Sequence, residues 1–160
     1  MKGKLVTKSL SDLSGLTEKS RISERRRAPF PVHPHDFCGT RALFNAMQPD
    51  SYVRPHLHKD QEEIMTAVQG VICITAFDNC GEVEERVLLG REDEIYVGIP
   101  AGTYHTAIAA VEDSMLLEFS QGPYNADAAK NFAPWAPDEN SPEARKYFED
   151  LRKKVALIIS

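Results

Sequence analysis

From Arg41 to Ser120 the chain is cut into short apolar runs by turn signals: QPDS at 48–51, DNCGE at 78–82, GRED at 90–93, PAGT at 100–103 and VEDS at 111–114. Runs this short cannot be helices of ordinary length, and their even spacing points to a small all-β sandwich or barrel. The spacing predicts strands over 41–47, 52–58, 63–69, 71–77, 83–89, 94–99, 104–110 and 115–120. Eight such strands suit a jelly roll. Residues 9–27 are polar with weak helical spacing through Leu10, Leu13 and Leu16, so an N-terminal arm with a helix or two is expected to pack on the outside. The proline-rich NFAPWAPDENSP at 131–142 reads as an extended crossing, with Trp135 as its anchor. A final helix follows, with Ser141 as N-cap, Pro142 at its first position, and an apolar stripe through Ala144, Tyr147, Phe148, Leu151 and Val155. The expected organisation is one structural domain: arm 1–40, barrel 41–122, crossing segment and helix 123–160.

At 160 residues with 42% apolar content the chain can bury a core without disulfides. A net charge of -5 gives no general attraction to polyanions, so nucleic acid is not an expected partner despite Arg25, Arg26 and Arg27. Cys38, Cys73 and Cys80 are odd in number and lack CxxC spacing, which suggests free thiols and a cytoplasmic location. No stretch approaches the roughly 20 apolar residues of a membrane span, so no membrane association is expected.

His56 and His58 lie two apart in an extended stretch, so both imidazoles leave one strand face with Cα atoms roughly 6.6 Å apart. A turn through Lys59, Asp60 and Gln61 would bring a carboxylate at Glu63 in from the neighbouring strand, and His105 would close the site after the Pro100/Gly102 turn. Glu62 competes with Glu63 for this role, but Glu63 keeps a six-residue gap to Gly70. Three imidazoles and one carboxylate suit a divalent transition metal, with Zn, Fe, Mn and Ni all open. The bland alternative is two surface histidines and a hydrogen-bonded core imidazole, which leaves three of the chain's five histidines at these places unexplained.

Strand parity extends the site. Arg54 would share the face of His56, either as a clamp for a substrate carboxylate or phosphate or in a salt bridge to Glu118 or another buried acid, and Tyr52 would supply a hydroxyl or a stacking surface or else pack in the core. Asn45 would either support a metal ligand or satisfy backbone groups, and Glu118 would face either pocket or solvent. His33 can reach the pocket from the arm, whereas the His33-Pro34-His35 pair lacks an acid at ligand spacing. Tyr96 and Tyr124 are further hydroxyl or stacking candidates, and Cys80 has no activating base nearby. The substrate-binding candidates are therefore Arg54, Asn45, Glu118, Tyr52 and His33, and no catalytic residue is assigned.

H-x-H-x4-E-x6-G over 56–70 followed by P-x-G-x2-H over 100–105 resembles the two-part signature of the cupin superfamily. The chain departs from it where Asp50 and Glu94 replace opening glycines and Ala109 replaces a closing asparagine. SERRRAPFPVH at 23–33, RALFNAMQPDSYVRPHLH at 41–58, GPY at 122–124 and FAPWAP at 132–137 further resemble the WbuC family of cupin-fold metalloproteins. The resemblance implies a mainly β cupin-type double-stranded β-helix, that is, a jelly-roll barrel. It also implies a bound divalent metal, a homodimer, and a bacterial setting linked to O-antigen or other surface polysaccharide. Two functions follow as expectations: a metal-dependent enzyme acting on a small carbohydrate-related or oxygenated metabolite, or a non-catalytic metal-dependent binding or sensor module for a small-molecule ligand. A purely structural ion is the third option.

Overall fold

A computed structural model describes residues 7–32, 39–90, 94–123 and 130–156. His33, His35, Cys38 and Tyr124 lie outside the described residues. The arm forms one helix, α1 (Leu10–Ile22), opened by a capping box in which Ser9 and Asp12 satisfy each other's backbone N–H groups. The strands are β1 (Arg27–Pro31), β2 (Thr40–Met47), β3 (His56–Leu57), β4 (Glu63–Gln69), β5 (Ile72–Phe77), β6 (Val83–Leu89), β7 (Val97–Ile99), β8 (Tyr104–Ala109), β9 (Ser114–Gln121) and β10 (Asn131–Phe132). They form two antiparallel sheets, ordered β1-β2-β9-β4-β7 and β10-β3-β8-β5-β6.

The mainly β architecture with a helix at each end agrees with the sequence. Closure into a barrel does not: among the described residues no ladder joins the two sheets. Three of the four edge strands are short or proline-bearing, with Pro29 and Pro31 in β1, three residues in β7 and two in β10; the fourth, β6, is a full strand of seven residues. Proline removes the donor a further ladder needs, and strands this short cannot curl one sheet into the next.

Between the sheets, alternate residues of both inner faces interdigitate. Met47, Met65 and Leu116 on one side meet Ile72, Ile74, Leu89 and Ala107 on the other. The outer faces are covered separately. Helix α2 (Ala144–Lys154) lays Ala144, Phe148 and Leu151 on Cys73, Phe77 and Ile108, while α1 seats Leu16 on Ala28, Ala46 and Met115. Trp135 fixes the crossing segment with its ring 5.1 Å from Phe77 and 5.9 Å from Tyr104. Gly70 turns β4 into β5 at φ +67°, where a Cβ would stand 2.9 Å from the Ser114 Cα, so no larger residue fits.

Three details depart from expectation, the first being that the run predicted over 94–99 is a strand only at β7, Val97–Ile99. Ser141 does not cap the last helix. Asp138 accepts from the backbone N–H of Asn140 and of Ser141, a turn continues through Glu143, and α2 starts at Ala144 without a side-chain cap. The predicted strand over 52–58 is reduced to β3, because the chain before Pro55 leaves the ladder.

Candidate metal centre

β3 and β8 pair antiparallel with His56 directly opposite His105, which brings their ring centroids to 4.7 Å. His58 lies just beyond β3, where its carbonyl accepts from Gly102 N–H at 2.7 Å, so the Pro100–Thr103 turn is tied to the histidine strand. Glu63 begins β4. It comes from the opposite sheet, where it pairs with Ile99 and Ser120, rather than from a strand adjacent to β3 as the spacing suggested. The 59–62 segment crosses from one sheet to the other, so the three imidazoles face the carboxylate across the interior. Glu62 points to solvent and Glu63 is buried, which separates the two acid candidates.

His56, His58, Glu63 and His105 are all buried, and each offers a donor atom within 4.8 Å of all the others. Donors on opposite sides of an ion bound at ~2.0–2.2 Å stand about 4 Å apart, so only slight contraction would complete a coordination shell. Protonation supports the fit. Nδ1 of His56 lies 2.9 Å from the Arg54 carbonyl, and Nδ1 of His105 lies 2.9 Å from that of Thr103. A carbonyl only accepts, so both Nδ1 atoms carry hydrogen and both Nε2 atoms turn inward. In a neutral ring that Nε2 is a lone pair, and for His105 it lies 3.1 Å from Glu63 Oε2. Either a proton on the ring or a metal ion between the two satisfies such a contact. Nε2 of His58 is 3.3 Å from the same oxygen, yet neither nitrogen of His58 has a hydrogen-bond partner.

Electrostatics keep the set ready for a metal. Burial holds His56 well below the ordinary imidazole value, with Lys130 and His105 adding to the effect, so its lone pair stays available. Burial pushes the Glu63 carboxyl up, but hydrogen bonds and charge from His105 and His58 outweigh it and hold the group far below the usual carboxylate range. These residues fit a divalent ion: one carboxylate oxygen and three imidazole nitrogens, the donor chemistry of a transition-metal site.

The cluster opens into a cavity of about 540 Å³ whose other wall is the inner face of the β2/β9/β4 sheet. Register defines that wall. Arg41, Ser120 and Glu63 form one row, Leu43, Glu118 and Met65 the next, and Asn45 and Leu116 the row beyond. Glu118 is therefore diagonal to Glu63 and faces the cavity rather than solvent. Burial, then the nearby Glu63 charge, raises its carboxyl to about 7. Asn45 also lines the cavity, and its side-chain oxygen is buried without a partner.

Two of the predicted substrate contacts are not brought to the cavity. Arg54 turns outward, with its guanidinium 5.0 Å from the Phe132 ring and ion-paired to Asp138 at 3.4 Å, not to Glu118. Tyr52 packs against Tyr147 and Phe148 under α2, and its hydroxyl donates to the Pro137 carbonyl at 3.0 Å. Parity misplaced Arg54 because Pro55, which follows it, ends the regular strand, whereas Tyr52 takes the core place that was its alternative. Conversely, Lys130 lines the cavity although it precedes β10 and belongs to no periodic pattern. Pairing of β10 with β3, Phe132 opposite His56, carries it there. Arg27, which the sequence singles out only within the Arg25–Arg26–Arg27 run, is buried, with both Glu139 oxygens 2.7 Å from its guanidinium.

The family described as "Domain of unknown function (DUF6016)" matches residues 9–89, half of the chain. No curated protein matches it. Among solved structures the chain is similar to CapF, the capsular polysaccharide assembling protein of Staphylococcus aureus, with TM-score 0.58 and 17% identity over 69% of this chain and 30% of that one. It is also similar to KdgF from Halomonas sp., with TM-score 0.52 and 20% identity over 66% of this chain and 87% of that one. A third is the WlaRB TDP-quinovose 3,4-ketoisomerase from Campylobacter jejuni, with TM-score 0.52 and 21% identity over 62% and 73% of the two chains. These likenesses show a cupin-type fold.

Proposed function

Because the chain belongs to the DUF6016 family, whose description names no activity, we propose from the site itself that it is a mononuclear metal-binding cupin. In this reading it is a metal-dependent enzyme acting on a small carbohydrate-related or oxygenated metabolite. The observation that carries the reading is the inward convergence of His56, His58, Glu63 and His105 at the floor of a cavity large enough for a small organic ligand. A divalent metal there supplies Lewis-acid polarisation of a bound oxygen. The chain's own residues do the rest. The carbonyls of Arg54 and Thr103 fix the tautomers of His56 and His105. Leu43, Met65 and Leu116 exclude bulk water from the inner wall, and Glu118 is placed to hold or release a proton at its carboxyl oxygen.

The WbuC-like segments support a bacterial cytoplasmic role connected with surface polysaccharide, and the cupin-type relatives include a protein named for capsular polysaccharide assembly and a sugar-nucleotide ketoisomerase. A homodimer is part of the proposal. Ile64 and Phe119 pair across β4 and β9 on an outer face, and they are 49% and 37% exposed, an apolar pair that a second copy would cover. Light scattering measures that state. Turnover tests the enzyme: metal-loaded protein is incubated with a panel of sugar acids and sugar nucleotides and the products are resolved by mass spectrometry. Conversion of at least one compound, abolished by chelation, is expected. Binding with every compound recovered unchanged would replace the enzyme with a non-catalytic binding module.

A further inference from the structure

The cavity carries two unmet demands besides the metal ligands. The first is for negative charge. Lys130 lines the cavity and makes no hydrogen bond or ion pair with any described residue. The residue as a whole is exposed at the cavity mouth; burial draws its ammonium below the ordinary value while Glu118 and then Glu63 act the other way. Arg25 and Arg27 line the same cavity and share one carboxylate, Glu139. Among these groups, a divalent ion plus Lys130 exceeds Glu63 plus Glu118 by at least one positive charge, whether or not Glu118 is ionised. An excess of positive charge lining a cavity favours an anionic ligand there.

The second demand is for a hydrogen-bond donor. The Asn45 side-chain oxygen is buried and has no partner among the described residues, on the wall facing the three histidines. A carboxylate cannot satisfy it, because it only accepts, whereas a hydroxyl can.

We propose that the cavity takes a small hydroxylated carboxylate bearing one net negative charge, with Lys130 receiving the carboxylate at the rim and Asn45 accepting from a hydroxyl. This rests on the metal-centre reading, and it narrows the substrate class to sugar-derived or similar hydroxy acids over neutral sugars.

The test uses the full chain loaded with cobalt(II), whose visible spectrum reports both metal binding and ligand approach. Gluconate, glucitol and hexanoate are titrated by calorimetry: the first has both groups, the second only the hydroxyls, the third only the carboxylate. Gluconate is expected to bind at least about tenfold more tightly than either of the others. Lys130→Met is expected to erase the gluconate-over-glucitol preference while binding cobalt at least as well, because a neighbouring positive charge is removed. Asn45→Leu is expected to weaken gluconate and leave hexanoate unchanged, with circular dichroism and melting curves showing both variants folded. Glucitol binding as tightly as gluconate, no binding of any of the three, or a preference that survives Lys130→Met overturns the proposal while leaving the metal site standing. Failure of the wild-type chain to bind cobalt removes the metal-centre reading itself.

Discussion

The two ends of the space between the sheets are built from the same strands and differ in kind. Along β4 the inward residues run Glu63, Met65, Ala67, along β8 His105, Ala107, Ala109, and along β9 Glu118, Leu116, Ser114. At one end the inward groups are apolar and packed, except Ser114, whose buried hydroxyl is hydrogen-bonded to backbone carbonyls. At the other, ionisable side chains face each other, and His58 and Asn45 hold buried polar atoms with no partner, a cost of ~1–3 kcal/mol for each such group. The closed end therefore supplies stability that the open end consumes. An arrangement of that kind is maintained where the open end has something to bind.

Substitutions can break this division. The largest effect is expected at the ligands: His105→Ala or His56→Ala removes a donor from a four-residue set and should weaken metal binding by well over ~100-fold, measured by competition with a chelating dye, while the apolar end keeps the chain folded. Next, Ile72→Ala in the closed end should cost ~2–5 kcal/mol in denaturant unfolding and leave metal stoichiometry unchanged. Loss of metal in Ile72→Ala would mean the two ends are one cooperative unit.

Glu118 sharpens the comparison through pH. Its carboxyl is raised from an ordinary 4.5 to about 7 in the folded chain. Between these values the unfolded chain has lost the proton that the folded chain keeps, so this group lowers stability as pH rises through the window. Glu118→Gln cannot ionise. In metal-free protein its stability relative to the natural chain should therefore climb from pH ~4.5 to ~7 and level off above, read from urea melts at several pH values. His56, which favours the folded state as pH rises below its ordinary value, contributes equally to both proteins and cancels. The smallest effect is expected at Arg54, whose ion pair with the exposed Asp138 lies outside the cavity. Arg54→Ala should change stability by ~1 kcal/mol or less and leave metal affinity untouched. A drop in ligand binding there would restore the inward role that parity assigned.

What could be read from the sequence was whatever depends on local period and turn chemistry. β2, β4, β5, β6, β8 and β9 fall within a residue of the expected runs, because alternation and glycine-marked turns specify them locally. The four inward donors were legible for the same reason. What escaped depends on long-range placement. β1 and β10 carry no alternation, being a proline-bearing edge and a two-residue pairing, so neither Arg27 nor Lys130 could be located. The crossing at 59–62 put Glu63 on the facing sheet, a choice between two partners that period two cannot make. Pro55 was visible, and its effect on Arg54 could have been read from the restriction proline places on the residue before it.

The central claim is that these four side chains hold one metal ion. X-ray absorption at the metal edge, together with elemental analysis of the loaded chain, tests it most directly. The account predicts one ion per chain with a mixed nitrogen and oxygen shell whose imidazole scattering falls when His56 or His105 is replaced. A loaded chain with no bound ion, or a shell unchanged in both variants, would contradict it.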